Sequence, residues 1–381
     1  MIDDSIISMV AIGLTLLILG LINGYQYADK TLPAGSLPTL KGGLSENSDG
    51  TLQTPAIQPG TILSTAATAT TAALSPLAKW ASSLGHEHPL VGRIWDAAHK
   101  EFVLPGDVAA AAAGADVLMV GETHDNFDHH KLQAWLVNEL AHRGKREAVV
   151  MEMIGADKGE TLASYQAGSG ATAEGLGPAL DWEHSNWPAW AYYLPVADAA
   201  FGDGYKIVPG DPSPAQVSLV RDQGVKGLTD AERERLSLSA GLPPRLGAAL
   251  SDTLKSSHCG TLSDADVARM SDVQRYRDAT LADNVLKAVQ RNGSAMLVAG
   301  DGHVRTDSGA PYYLRLRAPN LKTVTIQLVE VQTGVENPDY AVSHDPDGKP
   351  AADFVWFTAR ADRADPCAAL AKPGQSSTGA G

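Results

Sequence analysis

Two short segments concentrate the residues that could do chemistry, Gly121-Glu122-Thr123-His124 and Gly300-Asp301-Gly302-His303. Each is preceded by an apolar run, so both read as strand, glycine, acid, any residue, histidine. An acid and a histidine two positions apart project to the same side of an extended chain. Imidazole is a neutral donor to metals and a proton acceptor near neutral pH, and a neighbouring carboxylate orients it or binds an ion directly. His124, His303 and Asp301 are therefore candidate metal ligands, and Glu122 is a candidate general base. One such segment could equally cap a helix; its repetition with an acid in the same place argues for a shared site.

The first segment continues Asp125-Asn-Phe-Asp128-His129-His130, which puts three histidines and three carboxylates within nine residues. Asp128 precedes a helical pattern and suits an N-cap as well as a functional role. His129 and His130 fall in the first turn of that helix, at the mouth of the expected site. Glu152 interrupts the apolar run Val149-Val-Met-Glu-Met153. A buried carboxylate needs a partner. Glu152 is thus either a metal ligand or base beside Glu122 and His124, or one half of an ion pair with Arg275 or Arg277. Those two arginines lie two apart on a helical pattern, so only one of them reaches the cleft.

The elements that would position these residues are legible in the periodicity. Segments 117–120, 148–153, 205–209, 296–299 and 323–328 are short and apolar or β-branched, as strands are. Residues 130–142 place Leu132, Leu136, Val137 and Leu140 on one helical face. Further helices are expected over 229–236 and 264–291. Strand, helix, strand at this spacing predicts βαβ units and an α/β fold with a mainly parallel sheet flanked by helices. Ligands bind such sheets at the carboxyl ends of the strands, where both glycine-acid-histidine segments would lie.

The chain has 381 residues and a formal charge of −14, with no lysine or arginine cluster. That argues against a nucleic-acid partner, which requires a basic stripe. Residues 5–28 are uncharged and mostly apolar, long enough to cross a bilayer. Asp3 and Asp4 stand where a signal peptide would be basic, and no cleavage signal follows closely, so residues 1–28 read as a single-pass membrane anchor. Residues 29–85, rich in Pro, Gly, Ser, Thr and Ala, read as a disordered low-complexity linker. The folded domain is expected over 86–361 and a disordered tail over 362–381. The two cysteines, Cys259 and Cys367, form no metal or redox motif. They could form one bridge, although Cys367 falls in the expected tail.

Five ordered stretches carry a family resemblance: GETHDNFDHH, MEM around Glu152, His258-Cys259-Gly260, QRYRDATLADN from Gln274 and GDGHVRTDSGAPYYL from Gly300. Together they resemble the ChaN-like haem-binding proteins, within the superfamily of Tiki proteases and erythromycin-esterase-like enzymes. The resemblance implies haem as cofactor, a role in haem or iron uptake, and a periplasmic or cell-envelope location. That location is set against Lys30 and Lys41, which follow the apolar segment and favour a cytoplasmic domain. It also supplies the alternative, a metal-dependent hydrolase or protease that uses the two GxxH segments and a divalent ion. The familiar members are lipoproteins, whereas no lipidation cysteine stands here. Haem in the family is held through tyrosine with help from histidine, and the local candidates are Tyr192 and Tyr193, with His129 beside them and Arg275 for a propionate. Expected partners are haem or another small ligand, the membrane through the N-terminal segment, and, as an option, a second copy of the chain in a homodimer.

Overall fold

The computed structural model describes residues 75–145, 147–365 and Cys367. The expected anchor (1–28), the linker up to residue 74 and the tail after Cys367 lie outside the described residues. Among those described, no helix is long and apolar enough to cross a membrane.

The chain runs β1 (Ile94–Asp96), β2 (Glu101–Val103), α1 (Pro105–Ala113), β3 (Val117–Glu122), α2 (Phe127–His142) and β4 (Glu147–Gly155). It continues through α3 (Gly159–Ala167), α4 (Ala173–Ala179), α5 (Trp190–Gly202), β5 (Lys206–Asp211), α6 (Pro214–Gln223), α7 (Asp230–Arg235) and α8 (Pro244–Ser257). The last elements are α9 (Asp264–Asn292), β6 (Ser294–Gly300), α10 (Ala310–Arg317), β7 (Thr323–Glu330) and β8 (Phe354–Thr358). One sheet has the order β2-β1-β8-β7-β3-β6-β4-β5. From β8 to β5 all pairings are parallel, and β1 joins β8 and β2 antiparallel. The α/β fold with a mostly parallel sheet is thus as the sequence predicts, and each of its five expected strands forms.

Period-two alternation divides the central strands between two cores. Leu118, Val120, Val149, Met151, Met296 and Val298 meet α2 and α5 on one face. Val117, Met119, Ala148, Val150, Ala295 and Leu297 meet α6, α9 and α10 on the other. Strands covered on both faces read as unbroken apolar runs, which is why β3 and β6 are buried throughout. The free edge at β5 is closed locally: the Gln166 amide donates to Ile207 O at 2.8 Å and accepts from Ile207 N at 2.9 Å. Pro209, on the same strand, has no N–H to offer.

Two chain segments dock at the start of α2. Asn126, not Asp128, is the N-cap of this helix, accepting from Asp128 N. Asp128 instead accepts from Ala81 N at 2.8 Å and Ser82 N at 2.8 Å, tying residues 81–82 to the domain. Leu84 and Arg360 form an antiparallel bridge beside it. Cys259 and Cys367 are joined in a disulfide across 108 residues.

Candidate functional site

The pairing of β3 with β6 sets Glu122 opposite Gly300, so both glycine-acid-histidine segments leave the sheet side by side at its carboxyl edge. Gly121 is required there because Asp301 and Val304 pack against its Cα, in the space a Cβ would fill. His124 turns back over the strand end. Its Nδ1 lies 2.8 Å from Glu122 Oε1, its Nε2 lies 3.9 Å from Glu152 Oε2, and the Trp187 ring stands edge-on at 4.8 Å.

Glu122 projects to the α2 face of the sheet and is fully buried. Its Oε2 accepts from Gln133 Nε2 at 2.7 Å, and His130 Nδ1 is 3.2 Å away. Burial alone would raise this carboxyl, but the adjacent His130 and His124 outweigh it and hold Glu122 far below the ordinary carboxylate range. The same bond to Glu122, with Glu152 beyond, overcomes burial at His124 and raises its imidazole above the ordinary value.

Glu152 projects to the opposite face, where α9 covers it. Its Oε1 accepts from Arg277 Nη2 at 2.7 Å, its Oε2 from Gly300 N at 2.7 Å, and His303 Nε2 lies 3.2 Å from Oε1. Arg277 also donates through Nε to Asp211 at 2.9 Å. His303 Nδ1 donates to Asp278 Oδ1 at 2.6 Å. Burial disfavours charge on His303, but Glu152 and Asp278 on its two nitrogens raise it to about 10. At neutral pH it is therefore an imidazolium donating both ways. For Glu152, burial is likewise outweighed by His303 and Arg277, which keep it ionised. Asp301 differs: its Oδ1 is buried without a hydrogen-bond partner, and burial, with Glu122 nearby, lifts the acid to about 8.

The structure thus brings Glu122, His124, Glu152 and His303 into one chain of contacts that passes from one face of the sheet to the other around its carboxyl edge. Asp301 sits at its flank. The other expected contributors lie elsewhere. His129 is buried, accepting from Thr123 N at 2.8 Å and pairing with Thr358 Oγ1 at 2.8 Å. Arg275 donates to Asp272 at 3.2 Å and Ala240 O at 2.7 Å, away from Glu152. Tyr193 is fully buried, with its ring edge-on to His130 at 4.5 Å and Trp182 5.2 Å away. Tyr192 is half-buried against Phe127 and His130. Among the described residues, no group of three or more His, Cys, Asp or Glu side chains could hold a metal ion. The structure gives the divalent ion expected from sequence no support: both ring nitrogens of His303 face carboxylates, Glu152 and Asp278, and His124 Nδ1 is held by Glu122.

Sequence reasoning missed Asp211, Asp278, Gln133 and the segment 181–187. Asp211 ends β5 much as Glu122 ends β3, a parallel that could have been noticed. Asp278 follows Arg277 directly in the helix, but its partner His303 is 25 residues away. Beside Glu152 opens a cleft of about 280 Å³, lined by Glu152, Asp211, Arg277, Trp182, Trp187 and His184 among others. His184 stands on its rim with an 80% exposed side chain, its Nδ1 held 2.7 Å from Asp181.

Residues 108–314 match the family described as haem-binding uptake, Tiki superfamily, ChaN. Among solved structures, the chain is similar to ChaN of Campylobacter jejuni with cofacially bound haem, at 19% identity and a TM-score of 0.53, over 69% of this chain and 95% of that one. The type III effector HopBA1 overlaps 66% of this chain and 91% of its own at 12% identity and a TM-score of 0.34. An erythromycin esterase, EreC, overlaps 60% and 73% at 15% identity and a TM-score of 0.34. No curated protein matches significantly. With the family match spanning more than half its length, the chain belongs to the ChaN haem-binding family of the Tiki superfamily.

Proposed function

We propose that this protein binds haem on the rim of the cleft beside Glu152 and, tethered to a membrane by residues 1–28, serves haem or iron uptake. The observation that carries the reading is the family match over residues 108–314, joined to a rim whose side chains suit the ligand. His184 supplies an exposed imidazole whose Nδ1 is oriented by Asp181, which leaves Nε2 for an iron. Trp182 and Trp187 supply aromatic walls, and Lys158 on the same rim can pair a propionate. The cleft, at about 280 Å³, admits the edge of a macrocycle and leaves one face open. An open face suits the cofacial arrangement named for the Campylobacter jejuni protein and, with it, the homodimer considered from the sequence.

When bound, haem supplies redox-active iron; the chain's own contribution is to orient it and to keep a dense set of charges beneath it. His303 stays protonated there, with Glu152 ionised against it. The metal-dependent hydrolase is the weaker reading, because His303, one of its expected ligands, has both ring nitrogens engaged by Glu152 and Asp278. The Cys259–Cys367 bridge supports an oxidising compartment such as the bacterial periplasm or envelope.

Haem titration of the full chain in detergent, followed at the Soret band, tests this. The expected result is a saturable shift that His184→Ala weakens at least about 10-fold, or about 1.4 kcal/mol. An unshifted spectrum in the natural chain would overturn haem binding, and an unchanged affinity in the variant would overturn the place given to His184.

A further inference from the structure

Opposite the cleft, on the β3 and β7 side of the sheet's carboxyl edge, the last described residues cross the site. Arg360 is fixed by its backbone bonds with Leu84, and Ala361 N donates to Glu330 Oε1 at 3.0 Å. The Arg363 guanidinium then clamps two carboxylates. It donates to Asp125 through Nε at 2.7 Å and Nη2 at 2.6 Å, and to Glu330 through Nη1 and Nη2 at 2.6 Å. Asp125 directly follows His124, and the orphaned Oδ1 of Asp301 lies in the same flank of the site. Four residues beyond Arg363, Cys367 is bonded to Cys259 in the turn between α8 and α9. That helix carries Arg277 and Asp278 into the site. Both cysteines are only half-buried, so a thiol can reach them.

We propose that the Cys259–Cys367 disulfide is a redox latch: oxidised, it holds residues 361–365 with Cys367 as a strap over the Asp125 flank of the site, and reduced, it lets the strap and Arg363 leave. The co-reactant is a dithiol. One of its thiolates attacks a sulfur of the bridge, giving a mixed disulfide and releasing the other cysteine, which takes up a proton. The second thiol of the reductant then displaces the remaining cysteine, and the reductant departs as its own disulfide. The chain gains two electrons and two protons and ends with two thiols.

The physical basis is the tether. Ordering each strap residue costs conformational entropy, and the Arg363 pairs are partly hydrated, with side-chain exposures of 19% and 12%. The disulfide keeps Arg363 at a high effective concentration beside its two carboxylates. Without it, the strap is held only by non-covalent contacts such as those pairs and the Ala361 bond. The proposal does not depend on haem.

Hydrogen exchange on the full chain, oxidised against dithiothreitol-reduced, reads it directly. Amides of residues 361–365 and Cys367, and of the 123–126 loop, should exchange at least about 10-fold faster after reduction and recover on reoxidation. Cys367→Ser should give the reduced pattern without reductant, and Arg363→Gln should speed the 123–126 loop with the bridge intact. Unchanged exchange in both segments overturns the latch, as do two free thiols in chain purified without reductant. A rise spread over the whole chain also overturns it, marking the bridge as a general staple. Should Cys367→Ser fail to fold, the redox comparison on the natural chain decides by the same readings.

Discussion

Arg277 is the residue on which the buried charges depend. Its guanidinium, 2% exposed, touches both Glu152 and Asp211, and burial pushes each of those carboxyls up when nothing opposes it. Removing one partner of a buried pair strands the other charges in a medium that cannot solvate them. Arg277→Met should therefore lower stability by about 3–5 kcal/mol, measured by urea unfolding at pH 7. Arg275→Met, which breaks a pair with the partly exposed Asp272 and a bond to Ala240 O but strands no fully buried carboxylate, should cost clearly less. The contrast tests the assignment, since the two side chains are chemically alike and differ only in helical phase. Sequence reasoning could say that one of them faces the cleft. It could not say which, because the phase of α9 relative to the sheet is set by packing of Val273, Tyr276 and Leu281 against residues far away in the chain.

At the scale of elements, the two strand-end glycines are legible in the sequence, but their reasons differ. At Gly121 a side chain would collide with Asp301 and Val304, whereas at Gly300 a Cβ would stand 2.9 Å from His124 Nε2 and 3.6 Å from Glu152 Oε2. The first obstacle is the neighbouring turn; the second is a ring that can move. Gly300→Ala should therefore fold, lose about 1–3 kcal/mol and displace His124 from Glu122. A thermal melt gives the first quantity, and a downward shift of the His124 titration followed by NMR gives the second. An unmoved His124 titration would show that the ring has room the geometry denies it. The strands β1, β2 and β8 escaped the sequence reading because they are three to five residues long and the hairpin of β1 and β2 joins the sheet only through β8, which pairs residues near 95 with residues near 355. Local periodicity has no access to a contact of that separation.

For the molecule as a whole, buried histidines set opposite limits on pH. His129 is lowered from 6.5 to about 4, first by burial, since its Nδ1 must stay unprotonated to accept from Thr123 N. A folded value below the unfolded one gives stability that is complete above about 6.5 and is lost as pH falls through about 4. His303 is raised from 6.5 to about 10, so its contribution is complete below about 6.5 and is lost as pH rises through about 10. The protein should lose stability in both directions, on the order of a few kcal/mol in each. Urea midpoints between pH 4 and pH 10 check this, and His129→Gln should flatten the acid limb while leaving the alkaline limb in place. An acid limb of undiminished slope in that variant would assign it to other groups.

The sequence by itself determined the α/β class, its five principal strands and the family, because strand burial on two faces and repeated glycine-acid-histidine spacing are local properties of the chain. It also named Glu122, His124, Glu152, Asp301 and His303, which the fold gathers at one sheet edge. Only the tertiary structure decided that Glu122 and Glu152 lie on opposite faces of the sheet with His124 between them, since that depends on strand order. It alone placed His129 in a neutral, buried bond to Thr123, turned Arg277 rather than Arg275 inward, and brought Cys367 to Cys259. Each of these is a contact between residues brought together by topology, and spacing along the chain carries no record of it.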